Sequence, residues 1–175
     1  AVLVFNMDES GINEFANAKK KSVLVPFAHA GTTTRYPVKR DTKHSTLVAC
    51  IAADVTPVKP LVIVKHLTIS SNLVNKGWTK MKVMFEHSAS GYINSKIFMK
   101  WLRAVFIEAV DARRRELEMP DQEAFLVMDN CKAHTDPEVV CLLGENNIEP
   151  VFIPPNCSHI FQPLDRVCFS AFKRH

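Results

Sequence analysis

The sequence predicts a single α/β domain, built on a mixed five-stranded sheet that is flanked by helices. Three strand-like runs come first, at residues 1–8, 46–53 and 61–66, with no helical pattern between them. Two more runs, at 125–129 and 148–153, alternate with helical patterns. Strands joined through helices pair in parallel by right-handed crossovers, so three antiparallel strands should be followed by parallel ones. The 175 residues, 47% of them hydrophobic, suffice for one well-buried core.

The antiparallel half of the sheet is predicted from apolar runs and one turn. Residues 2–5 are continuously apolar, which is typical of a central strand, and Asp8 should lie at the carboxyl end of that strand. The next two runs are rich in β-branched residues, and the segment 54–57 between them predicts a hairpin. A further short candidate strand covers about 82–86.

The helices are predicted from periodicity and from residues that favour helix ends. Asn94 is a candidate cap for a helix that runs to about Leu117, because apolar residues recur there at spacings of three and four. Pro137 suits the first turn of a short second helix, and Pro163 suits the first turn of a last helix. Asp165 should therefore lie near the start of the last helix.

Three aspartates are the candidate catalytic residues. Asp8 and Asp129 end the apolar runs 4–8 and 125–129, and Asp165 follows a proline-rich segment. If the first and fourth strands are adjacent and parallel, Asp8 and Asp129 emerge side by side at one sheet edge, where α/β folds place ligands. Carboxylates this close repel each other unless a cation lies between them. The alternative is that each aspartate only caps a helix or starts a turn.

Oxygen ligands suit hard cations, so the expected cofactors are two Mg²⁺ or Mn²⁺ ions. Asp8 would bridge both ions, Asp129 would bind one, and Asp165 would bind the other. Two ions held in this way activate a nucleophile and stabilise a leaving oxygen in phosphodiester chemistry. The sequence therefore predicts a metal-dependent DNA-processing nuclease or transferase core.

Two residues beside the aspartates have open roles. His134 would contact the nucleophile or a DNA phosphate, or it would cap the helix that begins at Pro137. Glu9 follows Asp8 directly and points to the opposite face of the sheet if the strand continues, which makes it a weaker ligand candidate.

Two pairs of cysteine and histidine suggest zinc superficially: Cys131 with His134, and Cys157 with His159. Their spacing matches no closed pattern of four zinc ligands. We expect instead that His159 and Gln162 position the turn that delivers the third aspartate, or contact DNA.

Basic residues are concentrated in one stretch, residues 19–44, whose charge exceeds the net charge of +4 of the whole chain. Its basic residues are Lys19, Lys20, Lys21, Arg35, Lys39, Arg40 and Lys43, with Asp41 as the single acidic residue. This pattern predicts a loop that contacts DNA phosphates, above all through Lys39, Arg40 and Lys43. An ordinary solvated basic loop is the alternative.

The five cysteines are odd in number and scattered, which favours a reducing compartment. No signal peptide opens the chain, and no apolar run approaches the roughly 20 residues that span a bilayer, so we expect no membrane partner. The chain begins inside a strand-like run and stops in an unfinished helical pattern. We therefore expect a domain excised from a longer protein.

Four segments resemble the DDE-superfamily endonuclease domain, in particular pogo, Tigger and jerky-like transposases of the mariner group. They are residues 6–11, 90–102, 128–134 and 154–165, so the likeness spans nearly the whole chain. The last segment ends in the specific motif Gln-Pro-Leu-Asp at 162–165. The resemblance implies an RNase H-like fold over a single catalytic domain, residues 1–175.

The resemblance also implies a function. Asp8, Asp129 and Asp165 would be the catalytic triad, and the 35 residues between the second and third fit the spacing of mariner-group enzymes. It implies Mg²⁺-dependent hydrolysis at transposon ends, followed by attack of a DNA 3′-hydroxyl on target DNA. Relatives usually carry an N-terminal helix-turn-helix region that reads the transposon ends. A homodimer in the full-length complex and a nuclear location are further expectations.

One departure from the family pattern adjoins the site. Arg166 follows Asp165 where small or apolar residues are more usual, and it would contact DNA or pair with Asp165. Two other functions share the resemblance. One is a host-domesticated descendant that binds DNA or chromatin without cutting, as relatives such as centromere protein B and jerky-like proteins allow. The other is a nuclease that acts on RNA–DNA hybrids.

Overall fold

The computed structural model describes residues 3–13, 44–65 and 82–172, and these ranges contain one mixed sheet of six strands. The strands are β1 (Val4–Asn13), β2 (His44–Ala52), β3 (Pro57–Val64), β4 (Met84–His87), β5 (Ala124–Met128) and β6 (Ile148–Phe152). Their order in the sheet is β4-β3-β2-β1-β5-β6. The pairs β1–β2 and β2–β3 are antiparallel, and the other pairs are parallel. The predicted α/β class and mixed sheet are confirmed.

The sheet has six strands rather than the predicted five. The short candidate strand near 82–86 forms β4 at the sheet edge, where Leu61 to Val64 of β3 pair with it in parallel. A run of four residues is too short to show a clear alternation, so the sequence marks it only as a candidate and the pairing with β3 places it in the sheet. The predicted hairpin at 54–57 is confirmed, with the Ala52 N–H donating to the Thr56 carbonyl at 2.9 Å.

Strand β1 is longer than predicted, which changes the position of Asp8. The strand continues to Asn13 because β2 pairs with it along its whole second half. The parallel partner β5 pairs only as far as Asn6 opposite Val127. Asp8 therefore lies inside β1, and not at its end, but it lies beyond the last residue that β5 covers.

The predicted helix from Asn94 to about Leu117 is confirmed as α1. It comprises Ser95–Trp101, a π-helical segment Leu102–Phe106, and Ile107–Glu116. Its buried face packs on one side of the sheet, where Phe5 of β1 meets Phe106 edge-on with ring centroids 5.3 Å apart. The fully buried Trp101 donates its indole N–H to the Lys59 carbonyl at 3.1 Å, so the one polar atom of this side chain is paired.

We predict that Asn94→Ala lowers the free energy of unfolding by about 1 kcal/mol, the usual cost of losing an N-cap. The Asn94 side chain accepts a hydrogen bond from the Ile97 N–H at 3.0 Å, and alanine cannot replace that acceptor. Urea unfolding of the chain measures the change. The exposed first-turn residue Lys96, changed to alanine, is the matched control and should shift stability little. Equal stability of the two variants would show that the cap contributes nothing.

Three further helices lie in the second half of the chain. Helix α2 covers Pro137–Glu145, helix α3 covers Ser158–Phe161, and helix α4 comprises the π-helical Leu164–Cys168 and then Phe169–Phe172. Pro137 occupies the first turn of α2 as predicted, and the Asp136 side chain caps that helix by accepting the Glu138 N–H at 3.0 Å. Among the described residues, neither α1 nor any of these three helices is long and apolar enough to cross a membrane.

Arg114 ties the end of α1 to the start of the parallel half of the sheet. Its side chain is buried and donates to the carbonyls of Gln122, Asn146 and Asn147 at 2.8–3.1 Å. Asp111, one turn earlier, supplies a carboxylate at 3.0 Å. Arg114 thus fixes the loops that precede β5 and β6. It thereby helps to fix the position of β5, the strand that Asp129 follows.

Candidate active site

Asp8 is the most buried of the three candidate carboxylates. Alternation along β1 places Asn6, Asp8 and Ser10 on the face opposite Phe5 and Met7. Asp8 is 6% exposed, and its Oδ1 accepts the Glu9 N–H at 2.8 Å. Its Oδ2 is buried and has no hydrogen-bond partner in the described part of the chain. A buried carboxylate oxygen in this state needs a proton or a cation.

The charge of Asp8 is opposed by its surroundings. Burial, together with the neighbouring charges of Asp165, Glu9 and Asp129, raises the pKa of Asp8 to about 7, although the hydrogen bond from the Glu9 N–H acts in the opposite direction. Both other candidate aspartates are therefore near enough to act on Asp8 electrostatically. That the three carboxylates converge on one metal site stays a prediction.

Asp129 immediately follows β5 and is half-buried. Its Oδ1 accepts the Cys131 N–H at 3.2 Å and the Nδ1–H of His134 at 2.8 Å. The bond from His134 holds the pKa of Asp129 below its usual range. Both bonds go to Oδ1, so among the described residues Oδ2 is the oxygen left available to a ligand.

Asp165 lies in the first turn of α4 and is exposed. The start of that helix is held by Asn6, whose Oδ1 accepts the Leu164 N–H at 3.4 Å. The Nδ2 of Asn6 donates to the Val127 carbonyl at 3.3 Å. Asn6 therefore joins the three elements that carry the aspartates. Sequence reasoning missed it, although a polar residue inside an apolar strand run was the available signal.

His134 is fully buried and lies between two carboxylates. Its Nδ1 bonds to Asp129 and its Nε2 bonds to Oε1 of Glu9, each at 2.8 Å. Burial lowers the pKa of His134, but the bonds to Asp129, Cys131 and Glu9 outweigh it and raise that pKa to about 12. The ring is therefore a protonated imidazolium at neutral pH.

Two expectations for His134 are corrected by this position. A side chain with no exposed surface and two engaged nitrogens does not contact DNA directly. It does not cap α2 either, because Asp136 occupies that role. Glu9 points away from Asp8, as the alternation of the strand predicted, and it binds His134.

The group Asp129, Cys131 and His134 has ligand atoms within 4.8 Å of one another. Zinc would require a free lone pair on the imidazole. Both nitrogens of His134 donate to carboxylates, so the arrangement does not fit zinc. Oxygen ligands suit a hard divalent cation, and the unpartnered Oδ2 of Asp8 is an atom that such an ion would satisfy.

Of the remaining candidate residues, Arg166 is exposed, Gln162 is buried, and the others lie outside the described residues. Arg166 is exposed beside Asp165, and among the described residues it forms no ion pair with that carboxylate. Gln162 is 1% exposed, which fits a role in holding the turn before α4 rather than contact with DNA. Lys39, Arg40, Lys43 and the side chain of His159 lie outside the described residues.

Comparison with known proteins places this chain in a family. The family model for the DDE superfamily endonuclease matches residues 41–175. The human Jerky protein homolog is 24% identical over 175 residues, a stretch that covers 98% of this chain and 29% of that protein. The chain thus spans less than a third of this relative's length.

Solved structures share the fold. A pre-cleavage Mos1 transpososome matches with a TM-score of 0.63 and 17% identity, over 98% of this chain and 42% of that one. A Mos1 mariner paired end complex with Mn matches with a TM-score of 0.60 and 18% identity, over 97% and 41%. These matches confirm the predicted RNase H-like fold. The family match over residues 41–175 shows that this chain belongs to the DDE superfamily endonucleases.

Proposed function

We propose that the chain is the catalytic domain of a transposase that cleaves DNA strands at transposon ends and transfers them into target DNA. The observation that carries this proposal is the buried Oδ2 of Asp8, which lacks a partner among the described residues and lies within the electrostatic reach of two further carboxylates. Membership of the DDE superfamily supports it.

Each aspartate has a distinct role in this proposal. Asp8 would hold two divalent cations, and Asp129 and Asp165 would each hold one of them. Mg²⁺ or Mn²⁺ held by these residues would lower the pKa of an attacking water or 3′-hydroxyl and would stabilise the leaving oxygen. A solved protein of the same fold, the Mos1 mariner paired end complex, was crystallised with Mn, which supports a divalent cation in this role.

DNA is the proposed partner. The similar Mos1 structures are a transpososome and a paired-end complex with the left transposon end, which supports a DNA substrate and a second copy of the full-length protein. Arg166, exposed beside Asp165, is suited to contact a phosphate near the scissile bond, and His159 lies close to it in sequence. A nuclear location and a separate N-terminal region that reads transposon ends complete the proposal.

The basic loop is tested by the salt dependence of duplex binding. Changing Lys39, Arg40 and Lys43 to glutamine should flatten the slope of log affinity against log salt by about 0.9 for each phosphate contact that is lost. Three exposed basic residues of α1, changed in the same way, provide the control; they are Lys96, Arg103 and Arg115. An unchanged slope would mean that the loop is merely solvated.

The metal site is tested by soaking crystals of the chain in Mn²⁺ and measuring anomalous density. We expect one or two peaks between the three aspartates, with oxygen ligands at about 2.1 Å, and no peak in an Asp8→Asn crystal. Peaks at Cys131 instead would point to a different site. Absence of any peak in the wild-type crystal would favour a descendant that binds DNA without cutting it.

A further inference from the structure

A hydrogen-bonded bridge of three side chains, Glu9, His134 and Asp129, has the fully buried His134 at its centre and joins two of the elements that carry the candidate ligands. Glu9 is the neighbour of Asp8 on β1, and His134 lies 125 residues later in the chain. We propose that Glu9 and His134 are positioning residues, which hold Asp129 so that its Oδ2 faces the cation. This inference rests on the metal site of the proposed function.

The bridge fixes the imidazole ring at both ends. Ionised carboxylates only accept hydrogen bonds, so both ring nitrogens of His134 must donate, at 2.8 Å each. The ring is also packed against Phe98, with centroids 4.8 Å apart, and has no exposed surface. Rotation of His134 would break two charge-assisted bonds at once, so the ring holds one orientation.

The fixed ring in turn selects one oxygen of Asp129. The side chain of Asp129 is 37% exposed, so solvent alone would leave it free to rotate. Its Oδ1 is occupied by His134 and by the Cys131 N–H. Rotation of the Asp129 side chain is therefore restrained before a metal ion binds. Metal binding then loses less side-chain entropy, because this ligand is already ordered.

Glu9 closes the bridge from the strand that carries Asp8. Because neighbouring residues of a strand point to opposite faces, Glu9 is directed to the His134 side while Asp8 is directed to the α4 side. On the α4 side, Asn6 makes the corresponding link to Leu164. The two links lie on opposite faces of β1: the His134 link restrains Asp129 relative to β1, and the Asn6 link restrains the start of α4, which carries Asp165.

The test is Mn²⁺ binding to the chain, measured from the electron paramagnetic resonance signal of the free ion. Glu9→Ala and His134→Gln should weaken Mn²⁺ binding by about 10- to 100-fold, the usual effect of losing a group that orients a metal ligand. Glu9→Gln keeps an acceptor for the ring and should restore affinity close to the wild-type value. Glu108→Ala, which removes an exposed carboxylate of α1, is the matched control and should change nothing.

Several results would overturn the inference. If Glu9→Ala binds Mn²⁺ as tightly as wild type while Asp8→Asn does not bind, the bridge is not a positioning device and the metal site stands. If Glu9→Gln falls as far as Glu9→Ala, the bridge acts through charge and not through position. If wild type binds no Mn²⁺, the metal site fails together with this inference. The Glu9 variants decide the question even if His134→Gln does not fold.

Discussion

Asp129→Asn should abolish DNA strand cleavage by the full-length protein and leave duplex binding largely intact. Asparagine keeps a side-chain oxygen that can accept the His134 and Cys131 bonds, so the local geometry should survive. It loses the negative charge that attracts a divalent cation. We expect a rate loss of at least about 100-fold, since losing a ligand should exceed the loss of a group that only orients one.

The measurement is cleavage of a labelled duplex that carries the transposon end, in Mg²⁺ and in Mn²⁺. Asp121→Asn is the matched control, because Asp121 is an exposed turn residue just before β5. Unchanged cleavage by Asp129→Asn would remove this residue from the metal site. A wild-type protein that binds the duplex but never cuts it would favour the domesticated alternative. Faster cleavage of an RNA–DNA hybrid would favour the hybrid nuclease.

Asp8→Asn should stabilise the fold: it should raise the free energy of unfolding of the metal-free chain at pH 8. Burial and the nearby carboxylates raise the pKa of Asp8 from 3.8 to about 7. When folding raises the pKa of a carboxyl group, the folded state tolerates the protonated form better than the ionised form. The fold is therefore more stable at a pH where the group is protonated. This contribution of Asp8 is full below pH 4 and is lost as the pH rises through 7.

The expected gain from Asp8→Asn follows from that shift. At about 1.4 kcal/mol for each pKa unit, the ionised carboxylate costs roughly 4 kcal/mol at pH 8, and the neutral amide avoids this cost. The gain should shrink toward pH 4, where Asp8 is neutral in the folded chain. Urea unfolding between pH 4 and pH 8 measures it, with Asp121→Asn as the control.

Added Mn²⁺ should reverse the ranking of the two proteins. An ion that binds the folded state alone stabilises it by mass action, so wild type should gain stability and Asp8→Asn should not. A variant that is less stable than wild type at pH 8 without metal would contradict the burial of an ionised Asp8. If repelling carboxylates are held together for metal binding, removing one of them should stabilise the fold and abolish function.

Much of the fold was predictable because its signals are local. The cap at Asn94, the proline at the start of α2 and the hairpin at 54–57 depend on neighbouring residues, and the structure confirms each of them. The candidate strand near 82–86 was also visible in the sequence, but its place beside β3 was not, and neither was the extension of β1 to Asn13. Both depend on another strand that supplies backbone partners, which a local pattern does not encode.

The sequence by itself determined which carboxylates are available, and the family pattern determined their expected roles as a catalytic triad. Tertiary structure alone decided that Asp8 is buried with an oxygen that has no partner among the described residues, and that His134 lies between Asp129 and Glu9 instead of facing DNA. The physical reason is that burial and charge–charge interactions depend on distance in space. Glu9 and His134 are 125 residues apart in the chain, yet they are in hydrogen-bond contact once the strands pair.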